Sequence, residues 1–197
     1  MSHDRYTVLT PPAEEPLTLQ ECKDYLRVSG SANDALIARL LRSAREHAEA
    51  VMDRSIITQT IRYDRSTFCD RMFLPRGRVR SVTSVKYVDS AGVEQTLNAS
   101  QYTLLNPSAG ASYLVRAWEV VWPTIRSVPD AVRITYVAGY EPTQGSPADL
   151  VSGVPEKVRI AILKLLQCDY DDLKREDREA LKQDAYNDLS PYRLVSF

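Results

Sequence analysis

Few residues in this chain could carry chemistry. His3 and His47 are the only imidazoles, which removes most metal sets and catalytic triads at once. His47 stands between Glu46 and Glu49, but the Glu-x-x-His spacing of a di-metal bundle is missing, so it reads as an ordinary histidine on a helix surface. Cys22, Cys69 and Cys168 are odd in number, far apart and outside any CxxC spacing. They fit reduced thiols rather than a disulfide framework or a zinc site. The carboxylates Asp169, Asp171, Asp172, Glu176, Asp177 and Glu179 are dense enough to attract a cation. They lack the glycine and the ligand order of an EF-hand loop, and a solvated helix face explains them. No Gly-rich phosphate loop, GxSxG or HExxH occurs. The expectation is a protein that is not an enzyme, with no catalytic residue, metal or cofactor.

The elements that hold these residues follow from periodicity. Thr18 to Glu21 has the form of a capping box and predicts a short helix over about Leu19 to Leu26. After Ser29-Gly30-Ser31, Asn33 or Ser31 can cap a second helix, with Asp34 in its first turn. Ile37, Leu40, Leu41, Ala44, Ala48 and Val51 form its single apolar stripe. From Ile56 the period changes to two, with Ile57, Gln59, Ile61 and Tyr63 on one side and Thr58, Thr60 and Arg62 on the other. Further strands are predicted at Val79 to Val88, Val93 to Leu97, Tyr102 to Leu105, Tyr113 to Arg116 and Val132 to Val137, with Gly92 at a positive φ in a hairpin. Pro142, Gly145, Pro147 and Gly153 mark a loop, and Pro155 suits the first turn of a helix. That helix is apolar on more than one side through Val158, Ile160, Ala161, Ile162, Leu163, Leu165, Leu166 and Cys168. It serves equally as a subunit core or an oligomer core. The helical pattern continues or restarts to Ser190, and Pro191 stops it. The fold class is α+β, a helical core of two N-terminal helices plus a long C-terminal helix with an inserted antiparallel β subdomain. Its parts are an N-terminal helical part (1–55), the β subdomain (56–140), a C-terminal helical part (141–190) and an extended tail (191–197).

Composition bounds the function. With 197 residues, 44% apolar and 26% charged, the chain has the balance of a globular domain, which at this length buries roughly 70% of its unfolded surface. The N-terminal residues lack the basic and apolar regions of a signal peptide, and no apolar run spans a bilayer, so no membrane partner is expected. Its 25 basic and 26 acidic residues exclude a protein that grips nucleic acid by bulk phosphate neutralisation. The distribution is less even. From Arg39 to Arg80 there are ten basic residues against five acidic, and from Asp169 to Asp188 four against eight. Either the basic region of one copy meets the acidic helix of a neighbour, using Arg42, Arg45, Asp172 and Glu176, or the charges pair within one chain. Arg76, Arg78 and Arg80 alternate as on the outer face of a strand and are a weaker site for DNA. The tail Tyr192 to Phe197 either docks into a partner groove or sheet edge, or folds back.

In its order of elements the chain resembles the phage head-tail connector (adaptor) proteins of the longer type. The resemblance is carried by Pro16 to Val28, Asp34 to Glu49, Leu74-Pro75 followed by Val79 to Gly92, Tyr136 to Tyr140, and Val154 to Leu163. It departs at Asp53, where relatives usually end the second helix with glycine; aspartate tolerates the left-handed conformation at modest cost. The resemblance implies a ring of twelve copies beneath the portal of a tailed phage or gene transfer agent, at the virion head-tail junction, assembled in the host bacterial cytoplasm. DNA would pass through the lumen without sequence-specific binding, and a neck, stopper or tail protein would attach below. It also implies portal contact through Tyr192, Arg193, Leu194 and Phe197, and intersubunit packing through Val158, Ile162, Leu165 and Leu166. Alternatives are a DNA-packaging factor that binds DNA directly and a non-phage oligomeric scaffold.

Overall fold

A computed structural model describes residues 4–106, 111–140 and 153–194. The chain divides into two compact units, one helical (residues 12–57 and 140–193) and one β (1–11, 58–139 and 194–197).

The helical unit starts with α1 (Leu19–Leu26). Its capping box forms as the sequence requires: Glu21 N–H donates to the Thr18 hydroxyl at 3.2 Å, and Thr18 N–H donates to the Glu21 carboxylate at 2.7 Å. α2 (Asp34–Met52) buries Ile37, Leu41, Ala44, Ala48 and Met52, one residue per turn. Asn33 occupies its N-cap without a side-chain cap bond. At its other end Asp53 is left-handed at φ 51°, and the Arg54 N–H closes on the Glu49 carbonyl at 3.1 Å. The aspartate therefore takes the place of the expected glycine.

The C-terminal helical part is two helices, α3 (Glu156–Tyr170) and α4 (Arg175–Leu189). Val158, Ile162, Leu165 and Leu166 of α3 are at most 3% exposed within the unit's own core, each contributing about 2 kcal/mol by burial. α4 buries only Ala185 and Leu189. Its alignment on α3 is reinforced by Lys164, whose ammonium donates to Asp184 and Asp188, both at 2.6 Å. Burial opposes that charge, but the two carboxylates outweigh it and hold the amine above its ordinary pKa.

Among the described residues the β unit has eight strands: β1 (Arg5–Thr10), β2 (Gln59–Arg65), β3 (Arg71–Leu74), β4 (Val79–Val88), β5 (Glu94–Thr96), β6 (Tyr102–Leu105), β7 (Ser112–Arg116) and β8 (Val132–Ala138). They make one sheet in the order β1-β2-β8-β4-β5 and another in the order β3-β7-β6, with every pairing antiparallel. Central β8 alternates strictly, burying Val132, Ile134, Tyr136 and Ala138. Opposite it Ile61 pairs with Tyr136 and Tyr63 with Ile134, so the period of two in both strands fixes the register. Between β4 and β5, Gly92 has φ 88° and Asp89 accepts the Val93 N–H at 2.9 Å.

Two strands escape the sequence pattern. β1 falls within the segment expected to be helical, yet it pairs with β2 and belongs to the β unit. All six of its residues are exposed, so no alternation marks it. β3 (Arg71–Leu74) is the other strand that the sequence pattern did not single out.

Candidate interaction surfaces

Among the described residues no group of three or more His, Cys, Asp or Glu side chains could hold a metal ion, and no helix is long and apolar enough to cross a membrane. The cysteines are free thiols, and burial pushes Cys22 up to about 11, away from reactivity. His47 is half-buried rather than superficial: its Nε2 lies 2.9 Å from the Tyr186 hydroxyl, tying α2 to α4.

Several residues expected at interfaces have partners inside the chain. Arg45 donates from Nε to Glu15 at 2.7 Å, from Nη1 to Glu49 at 3.0 Å and from Nη2 to Glu46 at 3.4 Å. Its side chain is only 5% exposed, so it is a buried cation paired within its own chain. Burial opposes its charge, and the surrounding carboxylates more than restore it. The expected packing residues Val158, Ile162, Leu165 and Leu166 are likewise enclosed in the core of their own helical unit. Arg42, by contrast, is largely exposed, with Glu15 at 3.8 Å, and Asp172 and Glu176 are exposed.

Within the tail, Tyr192 packs half-buried against the helical core, Arg193 is exposed, and Leu194 is buried. Phe197 lies outside the described residues. Of the basic run, Arg76 is buried and only Arg78 and Arg80 are exposed, so it offers no continuous arginine stripe.

The most exposed apolar feature is one that periodicity did not single out. Between β7 and β8, Trp118 and Val121 are 91% and 80% exposed. Their loop is fastened on each side. Ala117 N–H donates to the Gln101 carbonyl at 2.9 Å, and Arg116 donates to the Val120 carbonyl at 3.2 Å while pairing with Asp70. Trp122 stacks on Phe68 at 4.7 Å and donates to the Cys69 carbonyl at 3.1 Å. One tryptophan anchors the loop and the other is held in solvent. The sequence shows two tryptophans four apart but cannot say which faces inward.

Charge divides with the fold. The spans of the β unit carry eleven basic residues against seven acidic, and those of the helical unit fourteen against nineteen.

This architecture is shared with chains from gene transfer agent particles. A chain in the virion of a native gene transfer agent matches with a TM-score of 0.70 at 23% identity, covering 98% of this chain and 96% of that one. A chain in the neck of an empty particle, computed with C6 symmetry, matches at 0.70 and 21% identity over 98% and 97%. One in the neck of a native particle, computed with C12 symmetry, gives 0.68 and 21% over the same shares. No protein-family model matches this chain, and no curated protein matches it.

Proposed function

We propose that this chain is a structural subunit of the neck of a tailed phage or gene transfer agent, a head-tail connector that closes into a ring of twelve copies beneath the portal. The observation that carries this reading is the extent of the fold match: both units are shared, in order, with chains from gene transfer agent particles, two of them from necks. The symmetries of those necks support a ring. The near balance of 25 bases and 26 acids suits a conduit, because a polyanion slides where it is neither gripped nor strongly repelled. DNA passes through the lumen, and a further neck or tail protein attaches below.

Portal contact is assigned to the C-terminal residues Tyr192, Arg193, Leu194 and Phe197, of which Arg193 is the accessible member among the described residues. Electron microscopy of the purified protein with and without portal rings tests the main reading: a twelvefold ring, alone or stacked on portal, is expected, and a chain that stays monomeric in both would overturn it. For the tail, Arg193→Glu and a truncation after Leu194 both spare the buried Leu194. Each should leave a folded protein with weakened portal binding, and unimpaired co-sedimentation with portal would remove this role.

A further inference from the structure

We propose that the Trp118-Glu119 tip is the plug of a contact between neighbouring copies, seated in a depression at the α3–α4 corner of the next subunit. This rests on the ring reading above and names the surfaces that would close it. The depression is a shallow one of about 520 Å³, lined by Asp172, Leu173, Arg175, Arg178, Glu179 and Lys182.

The two surfaces are complementary. Among the described residues neither Arg178 nor Lys182 has a carboxylate at ion-pair distance, whereas Arg175 pairs with Glu179 at 2.8 Å. The tip supplies the missing carboxylate in Glu119, held at the apex with φ 60°. It also supplies an indole whose face can accept a guanidinium, and Leu173 gives an apolar surface for the ring. Because the loop is fastened by Arg116, Gln101 and Trp122, little ordering entropy opposes docking. Tryptophan is among the residue types that dominate interface energetics. The occupant is a second copy because the same chain carries both the exposed tip with its carboxylate and the corner whose Arg178 and Lys182 lack one. Two unlike patches on identical chains make a heterologous contact, the kind that closes into rings.

The test uses the full chain, with portal added where assembly requires it. Trp118→Cys with Leu173→Cys should give an intermolecular disulfide ladder on oxidation, while either single variant should not. Trp118→Ala should melt like the parent yet raise the dissociation constant of the oligomer at least tenfold. Glu119→Lys should weaken assembly, and adding Arg178→Glu with Lys182→Glu should restore it. A parent ring that yields no ladder, with Trp118→Ala assembling normally, overturns this contact and leaves the ring reading intact. Cross-linking of the Trp118→Cys variant through its new thiol to portal or another neck protein also overturns it. A parent chain that never oligomerises, even with portal, overturns both.

Discussion

The Glu49 carboxylate accepts the backbone N–H of Ile56 at 2.8 Å with one oxygen and Arg45 Nη1 at 3.0 Å with the other. A side chain near the end of α2 thereby fixes the chain segment that leads into β2. Glu49 and Arg45 are both almost wholly buried, so neither charge has water to fall back on.

Glu49→Ala should therefore cost about 2 kcal/mol, because it leaves the buried Ile56 amide without its acceptor and takes one of three carboxylates from a buried guanidinium. Glu49→Gln keeps an acceptor for Ile56 and should cost less. Denaturant unfolding of the two variants checks the order; equal losses would mean that the Ile56 bond contributes nothing.

The Glu21 carboxyl titrates below its ordinary 4.5, chiefly because it accepts the Thr18 N–H, with Arg159 adding charge attraction. A depressed folded-state pKa contributes stability that is complete above the ordinary value and is lost as pH falls through the folded one. Melting temperature should thus drop below about pH 4.5, and Glu21→Gln should flatten that part of the profile. An unchanged slope in the variant would count against the capping box as its source.

Trp122→Ala should cost about 3 kcal/mol by removing a ring stacked on Phe68. Trp122→Phe keeps the stack and loses only the bond to Cys69, about 1 kcal/mol. Both are measured by urea unfolding. Both variants should also raise proteolysis in the Ala117 to Val121 loop, Ala the more.

Leu166→Ala should destabilise the monomer by about 3 kcal/mol, since the residue is fully buried in its own unit. Ile160→Ala on the exposed side of α3 should change stability by about 0.5 kcal/mol or less. If Leu166→Ala instead left the monomer's melting point intact and abolished only assembly, the oligomer-core reading of this helix would return.

The sequence by itself determined the elements whose burial is regular. The capping box at Thr18, the stripe of α2, the alternation of β2 and β8 and the turn at Gly92 are local patterns, in which neighbouring residues impose the backbone that the tertiary structure then uses. The over-apolar α3 was legible as an element needing burial on several sides, but not whose surface would bury it; the structure assigns Val158, Ile162, Leu165 and Leu166 to their own subunit. Regional charge counts could not separate Arg45, enclosed by three carboxylates, from Arg42, left in solvent, because pairing depends on Glu15, thirty residues away in sequence. The same limit applies to β1, whose six exposed residues carry no period, and to the two tryptophans of one loop. Periodicity reports which face of an element is dry; only the tertiary structure brings distant residues together and so decides what remains exposed for a partner.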